Sequence, residues 1–226
     1  MEPIIQMKEI TKRFPGVVAL DRINFDVRPG EVHVLLGENG AGKSTLARML
    51  CGLQKNGSGT VLWTGKPMSR RLRRKKAYMV MQDVGHQLFT DSVAAECALG
   101  IKAPNKDEID RTLEKVDLLA YKERHPLSLS GGQMQRLAVV VSDICGKELL
   151  VFDEPTSGLD LKSMEEVGIL TRSLATQGKV LLIITHDIEF MMRICTRILF
   201  IRDGEIMKDL SGGQKEKIVR LLRGEE

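Results

Sequence analysis

The eight residues from Gly37 to Ser44 carry the clearest chemical signature in this sequence. They read Gly-Glu-Asn-Gly-Ala-Gly-Lys-Ser and fit the phosphate-binding pattern G-x-x-x-x-G-K-[ST] at every fixed position. Gly40 and Gly42 lack Cβ atoms, so the backbone can approach a ligand closely, and the Lys43 ammonium can reach the β- and γ-phosphates. The Ser44 hydroxyl is a suitable ligand for Mg²⁺. This stretch therefore predicts a site for a nucleoside triphosphate.

A carboxylate pair and a histidine offer the groups that hydrolysis at such a site needs. Asp153 and Glu154 follow the apolar run 149–152, and His186 comes shortly after a second apolar run, 180–184. Open α/β sheets bind ligands at the carboxyl ends of their strands, so we expect these side chains at one edge. There Asp153 can address Mg²⁺, Glu154 can turn toward the attacking water, and His186 can contact the γ-phosphate. Alone, such a pair or a lone histidine is more often structural, but the glycine loop upstream favours the catalytic interpretation.

The phosphate loop has to lie between a strand and a helix. Residues 31–36 form a largely apolar run of strand character, and residues 45–50 place helix formers and apolar residues at helical spacing. This order joins the loop N–H groups to a helix N-terminus, and together they make a concave positive site. A second glycine loop, 127–133, also opens a predicted helix. A single domain does not need two helix N-termini to bind one phosphate group. We therefore expect the second loop to face the nucleotide of a partner subunit.

The rest of the chain predicts strands near the N-terminus and a helical insertion in the middle. Residues 4–10 and 23–27 alternate in polarity, which is typical of strands. Residues 84 to about 145 show helical spacing instead, and Asn105 is a candidate N-cap there. The pattern therefore indicates an α/β core with a helical insertion.

Two features allow two interpretations each. Phe14 lies in the stretch 12–16, which has loop character, and an aromatic residue there either fills the core or offers a stacking surface for a nucleotide base. In the run 70–76, six of seven residues are basic. Such a run is most often a solvated segment, and the alternative is contact with anionic lipid headgroups or an acidic partner.

Composition limits the class of protein. The 226 residues, of which 42% are hydrophobic and 28% charged, suit one sizeable globular domain. The net charge of +4 is too small to argue for nucleic acid, and the four widely spaced cysteines indicate neither a disulfide framework nor a zinc site. Apolar runs such as 180–184 are far shorter than the roughly 20 residues of a membrane-spanning helix. No signal peptide is recognised, so we expect a protein that stays inside the cell.

The order of these motifs resembles the ATPase subunits of ATP-binding cassette (ABC) transporters, over about residues 4–209. In chain order, the motifs are Walker A at 37–44, the Q-loop glutamine Gln82, the signature at 129–133, Walker B at 149–154, the D-loop at 157–160 and the switch histidine His186. A signature between Walker A and Walker B is specific to this superfamily. The resemblance implies an α/β fold of the P-loop NTPase type, with an ABC nucleotide-binding domain over residues 1–226. An N-terminal antiparallel β subdomain and a helical subdomain at about 84–145 belong to that expectation.

The resemblance also implies roles for individual residues. The implied catalytic residues are Lys43, Gln82, Glu154 and His186. The implied Mg²⁺ ligands are Ser44, Gln82 and Asp153. ATP is expected to stack its adenine on Phe14 and to contact Gly37, Asn39, Gly40, Ala41, Gly42, Lys43, Ser44 and Thr45. The residues expected to complete the partner's nucleotide site are Ser130, Gly131, Gly132, Gln133 and Asp160.

Within the family, the likeness divides between two groups of importers. Residues 13–20 and 37–42 look like monosaccharide importers, whereas residues 77–93 look like energy-coupling factor importers of vitamins. The segment after the Q-loop is where family members meet their membrane partner, so the second likeness receives more weight. The implied function is ATP hydrolysis that drives import of a vitamin, a metal ion or a sugar.

The implied partners are separate transmembrane subunits and a second ATPase subunit, identical or related, at the cytoplasmic face of the membrane. We expect no nucleic-acid partner. Residues 83–93 are expected to receive a helix of the membrane subunit through His86, Leu88 and Phe89, unless the last two simply pack the core. A soluble ABC-type ATPase acting in cofactor assembly or in another non-transport role is the rival interpretation.

A second copy of the signature string lies at 210–214, with no Walker B after it. We interpret it as a turn that caps a last helix, 217–223.

Overall fold

The computed structural model describes residues 2–55 and 57–214, together with residues 217 and 220. The strands of this part are β1 Ile5–Phe14, β2 Val17–Val27, β3 Val32–Leu36, β4 Ser58–Trp63, β5 Lys66–Pro67, β6 Ala77–Val80, β7 Leu149–Asp153, β8 Val180–Ile184, β9 Arg197–Arg202 and β10 Glu205–Ser211. Its α-helices are α1 Lys43–Leu50, α2 Arg70–Lys76, α3 Val93–Ala98, α4 Lys106–Glu114, α5 Gly131–Ile144, α6 Leu161–Thr176 and α7 Ile188–Ile194.

The N-terminal strands form an antiparallel sheet in the order β2-β1-β4-β5, as expected for the β subdomain. Strands β1 and β2 are longer than the alternation at 4–10 and 23–27 predicts. A tight turn at Pro15 and Gly16 pairs Phe14 directly with Val17, so the pairing continues to the end of the hairpin. The predicted loop at 12–16 is therefore wrong for its first three residues, because cross-strand pairing extends a strand beyond its apolar pattern.

The second sheet places the phosphate loop and the carboxylates at one edge. Its order is β10-β9-β3-β8-β7-β6, and all of its neighbouring pairs are parallel except β9 with β10. Strands β3, β7 and β8 are buried along their whole length, which accounts for their almost continuous apolar sequences. Asp153 pairs with Ile184 at the carboxyl ends of β7 and β8. The segments that follow β3, β7 and β8 therefore leave the sheet side by side.

Two hydrophobic layers enclose this sheet. Leu35 of β3 packs in one cluster with Leu46 of α1 and with residues of the antiparallel sheet. Its neighbour Val34 packs on the opposite face, in a cluster that includes Val167 of α6 and Phe190 of α7. This alternation follows from the period of two residues in a strand. Helix α1 is thereby fixed between the two sheets, directly after the phosphate loop.

The described residues between β6 and β7 form helices and 3₁₀ turns, and no strand is found there. The Asn105 side chain accepts hydrogen bonds from the N–H groups of Asp107 and Glu108, which confirms the predicted cap of α4. A third buried cluster joins α3, α4 and α5, and its members Leu113 and Leu137 are fully buried. This separate cluster supports the helical subdomain at about 84–145, a division that we propose.

The basic run 70–76 forms α2, which Ser69 caps at its N-terminus. Arg71, Arg74 and Lys75 are exposed, whereas Arg73 is buried, so the run is solvated on part of its surface only. Among the described residues, none of the helices combines the length and the apolar character that crossing a bilayer requires.

Candidate functional site

A cavity of about 340 Å³ opens at the carboxyl edge of the parallel strands. Its lining comes from the phosphate loop and the start of α1, from β2, from the ends of β7 and β8, and from the segments that follow β6, β7 and β8. The lining residues are Ala19, Asn39, Gly40, Gly42, Lys43, Ser44, Thr45, Gln82, Asp153, Glu154, Ile184 and His186. Ten of these twelve are predicted site residues, and Ala19 and Ile184 belong to no motif. The sequence gives no signal for these two, because the folding of β2 and β8 against the loop brings them there.

The phosphate loop holds a conformation that depends on its glycines. Gly42 precedes α1 with a φ of 103°, in the left-handed region that favours glycine. A Cβ on Gly37 would come within 2.1 Å of the Ile201 carbonyl oxygen, so this predicted contact residue is needed for packing beneath the loop. Gly37 and Ala41 do not line the cavity. The Lys43 ammonium donates to the carbonyl oxygens of Gly37 and Glu38, at 2.7 and 2.9 Å, and thereby bridges the loop.

Asp153 and Ser44 are in direct contact at the edge of the cavity, since the Asp153 carboxylate is hydrogen-bonded to the Ser44 side chain. Burial raises the pKa of Asp153 above its ordinary value, and Ser44, Arg48 and Lys43 oppose that shift. Burial also lowers the pKa of the Lys43 ammonium, while Glu154 and Asp153 oppose this. The Ser44 hydroxyl, the Asp153 carboxylate and the nearby Gln82 amide provide the hard oxygen donors that Mg²⁺ prefers, so these residues fit that ion.

Glu154 is buried and has an unusual backbone conformation. Its φ is 51°, a left-handed value that is rare for residues other than glycine, and its N–H donates to the Ile184 carbonyl oxygen at 2.8 Å. Strained backbone of this kind is found at functional sites. The Glu154 Oε1 lies 2.7 Å from Nδ1 of His186, whose side chain is 79% exposed. The structure therefore joins two predicted catalytic residues that are 32 positions apart in sequence.

Phe14 lies at the end of β1, outside the cavity lining. The ring is 38% exposed, so it does not fill the core, and Lys12 Nζ lies 4.8 Å from its centroid. A surface aromatic ring of this kind is available for stacking.

The signature residues and Asp160 also lie outside this cavity. Ser130 caps α5 by accepting a hydrogen bond from the Gln133 N–H, while the Gln133 side chain accepts one from the Ser130 N–H. Asp160 caps α6 by accepting from the Ser163 N–H at 2.7 Å. Ser163 also lies beside Gly132, where a Cβ would come within 2.6 Å of its hydroxyl oxygen. The first turns of the two helices thus pack closely within the chain.

In the segment after Gln82, the neighbouring apolar residues Leu88 and Phe89 differ in burial, although the sequence offers the same two interpretations for both. Leu88 is 1% exposed and belongs to the core of the helical region, whereas Phe89 is 67% exposed. His86 is exposed as well. The interpretation that both apolar residues pack the core is therefore correct for Leu88 and wrong for Phe89.

The second signature string forms a turn at the end of β10. The Ser211 N–H donates to the Gln214 side chain at 3.2 Å, as the Ser130 N–H does to Gln133. The Gly212 N–H is bonded to the Thr196 carbonyl oxygen, which ties this turn to the chain before β9. The predicted last helix lies outside the described residues, apart from Lys217 and Arg220, which are helical.

Comparison with known proteins decides the family. The family model described as ABC transporter matches residues 20–157, which include the phosphate loop, the signature and the carboxylate pair. The chain belongs to the ABC transporter family. It is an ATP-binding ATPase domain of that family, and its α/β fold is the ABC ATPase fold, as the resemblance implies.

Individual relatives agree with this assignment. An ABC transporter ATP-binding protein of Treponema denticola is 54% identical over 94% of the chain, and a ribose import ATP-binding protein of Rubrobacter xylanophilus is 32% identical over the whole chain. The chain spans only 43% and 48% of the lengths of these two proteins. The solved structure of cbiO1 from Clostridium perfringens, part of the ABC transporter complex cbiONQ, is 30% identical with a TM-score of 0.84. That alignment covers 99% of this ABC chain and 93% of cbiO1.

Proposed function

We propose that this chain is the ATP-hydrolysing subunit of an importer, and that it drives uptake of a small solute through separate membrane subunits. The observation that carries the proposal is the convergence of Lys43, Ser44, Asp153 and Glu154 on one cavity of about 340 Å³. A loop of glycines, a lysine, a hydroxyl and two carboxylates make up the groups that phosphoryl transfer to water requires.

In this proposal the chain acts mainly by positioning and by charge. The N–H groups from Gly40 to Thr45 hold phosphate oxygens, and Lys43 exchanges its carbonyl partners for the β- and γ-phosphates. Ser44, Asp153 and Gln82 are the residues that would hold Mg²⁺, which supplies charge neutralisation when it is bound.

Glu154 is the general base in this proposal. Its carboxylate faces the cavity next to His186, so it can orient a water and accept its proton while His186 contacts the γ-phosphate. Phe14 supplies a stacking surface for the adenine.

The nucleotide is proposed to bind between two cassettes. The signature residues Ser130 to Gln133 and the D-loop residue Asp160 lie outside the cavity of their own chain, which supports a role at the site of a second subunit. That subunit is either a second copy of this chain or a related ATPase.

Import through membrane subunits is supported by one surface and by the relatives. Phe89 is an exposed aromatic residue seven positions after Gln82, where a helix of a membrane subunit can dock. The cbiO1 structure is described as part of a transporter complex, and the Rubrobacter relative as a ribose import protein. We therefore propose a vitamin, a metal ion or a sugar as the solute, and the cytoplasmic face of the membrane as the location.

Isolation of the complex tests this function. A tagged copy of the chain, expressed in the cells that encode it and purified from detergent-solubilised membranes, is expected to bring a membrane-spanning protein with it in a fixed ratio. Vesicles containing this complex should take up solute only with ATP, and the Glu154→Gln complex should assemble without uptake. Recovery of the chain with full ATPase activity and no membrane-spanning protein would favour the rival role in cofactor assembly.

A further inference from the structure

The Gln87 side chain ties the segment after β6 back to that strand. Its Oε1 accepts a hydrogen bond from the Met81 N–H at 3.0 Å, directly before Gln82 in the chain. Its Nε2 donates to the Met79 carbonyl oxygen at 2.9 Å and to the Tyr78 hydroxyl at 3.0 Å. One end of the amide group thus links residue 87 to residue 81, and the other end links it to β6.

The Glu96 side chain holds the next part of the segment, Phe89 and Thr90, through hydrogen bonds. Its side chain is buried in the first turn of α3, and the residue is 2% exposed. One oxygen, Oε2, accepts from the N–H groups of Phe89 and Thr90, at 3.1 and 3.0 Å, and from the Thr90 hydroxyl at 2.8 Å. A buried carboxylate is costly unless it is hydrogen-bonded, so these three donors and Glu96 depend on one another.

Phe89 lies between these two attachments. Leu88 before it is buried, whereas Phe89 is 67% exposed. The position of residue 89 is therefore set by its backbone, and hydrogen bonds to Gln87 and Glu96 and the buried Leu88 side chain hold that backbone.

We propose that Gln87 and Glu96 are positioning residues that hold Phe89 in a fixed place relative to Gln82. Displacement of Gln82 on nucleotide binding then moves residue 89 as part of one braced segment. This inference rests on the proposed function, in which Gln82 lies at the nucleotide and Phe89 at the membrane subunit.

Amide hydrogen exchange of the full chain tests the brace without a membrane partner. The amides of Phe89 and Thr90 should be protected in the parent chain, and Glu96→Ala should raise their exchange rates at least about tenfold, because bonds to a buried charged acceptor are lost. Glu96→Gln keeps an oxygen at the same place and should restore most of the protection. Glu123→Ala removes an exposed carboxylate from the same helical region and should change neither rate. Equal rates in the parent chain and Glu96→Ala would overturn the proposal.

A second arm separates positioning from simple stabilisation. In the Glu154→Gln background, ATP with Mg²⁺ should change the exchange of the Phe89 and Thr90 amides. Adding Gln87→Ala should abolish that change while ATP affinity is kept, since Gln87 does not line the cavity. A nucleotide response that survives Gln87→Ala would overturn the proposal, even if Glu96→Ala does not fold.

Failure of the proposed function gives a different result. If a Phe89→Ala chain assembles and transports normally, docking through Phe89 is wrong, whereas the exchange rates alone decide whether Gln87 and Glu96 fix residue 89.

Discussion

In our proposal, hydrolysis depends most directly on Glu154, a buried residue with a left-handed backbone φ whose carboxylate lies close to His186. Replacing Glu154 by Gln keeps the shape and removes the charge and the proton acceptor. We expect ATP binding to be retained and turnover to fall about 10²–10⁴-fold, the range for a positioned general base. An ATPase assay with a parallel measurement of ATP affinity checks this. Glu123→Gln, at an exposed site, is the matched control, and near-normal turnover of Glu154→Gln would contradict the assignment.

Asp153 illustrates a conflict between stability and function. Burial raises its pKa in the folded chain, so the folded state binds a proton more readily than the unfolded state. The ionised side chain therefore lowers the free energy of unfolding above its folded pKa, and this loss is recovered as the pH falls through that value. Its carboxylate is kept, in our proposal, because Mg²⁺ needs it.

We accordingly predict that Asp153→Asn stabilises the nucleotide-free chain at neutral pH while Mg²⁺-dependent ATP hydrolysis is lost. The melting temperature of the nucleotide-free Asp153→Asn chain should therefore lie above that of the parent chain at neutral pH. The gain should shrink as the pH is lowered, because the parent side chain then becomes neutral as well. Thermal melts across the acid range measure this. A destabilised Asp153→Asn variant at neutral pH would show that the carboxylate stabilises the fold.

The segment between β6 and α3 has two neighbouring apolar residues that should respond oppositely to truncation. Phe89→Ala removes an exposed ring, so the melting temperature and ATP binding of the isolated chain should hardly change. Assembly with the membrane subunit that we propose should weaken, and transport should stop. Leu88→Ala removes a buried side chain and should cost roughly 2–5 kcal/mol. Melting curves and copurification measure the two effects. An early melt of Phe89→Ala, or normal transport by it, would exclude docking through this residue.

At the scale of elements, the sequence predicts what local patterns determine. The strands β3, β7 and β8 have almost continuous apolar sequences because both of their faces are buried, and the caps of α4, α5 and α6 use the side chains that favour such positions. Phe14 shows the limit. Pro15 and Gly16 after it signal a turn, but the place of Phe14 in a strand depends on pairing with Val17 across that turn, which an apolar pattern does not show.

The sequence predicts the site residues that belong to motifs. It does not predict contacts that arise only from tertiary folding. Ten predicted residues meet in one cavity because β3, β7 and β8 are adjacent. The contact between Glu154 and His186, the exposure of Phe89 and the bonds to Glu96 depend on tertiary packing, so no spacing in the sequence reveals them.

At the scale of the whole molecule, the signature residues lie outside the cavity of their own chain, and from this we predict that two cassettes assemble around the nucleotide. ATP with Mg²⁺, and not ADP, should bring two cassettes together, most visibly in Glu154→Gln, because the γ-phosphate would contact both subunits. Light scattering with each nucleotide measures the mass. A chain that stays monomeric with ATP would exclude a homodimer, and a related ATPase would then be the partner to test.

Gly131 allows the interface to be tested without damage to the chain itself. A Cβ on Gly131 meets no atom within 4 Å, whereas one on Gly132 would collide with Ser163. Gly131→Asp places a carboxylate in the first turn of α5, where it favours the helix. The melting temperature should therefore be kept. Across the interface, however, the same carboxylate would face the partner's phosphates, so ATP should no longer produce a dimer. Ala103→Asp adds the same charge in an exposed loop and should dimerise normally. If Gly131→Asp dimerises as well as Ala103→Asp, the signature does not face a second nucleotide.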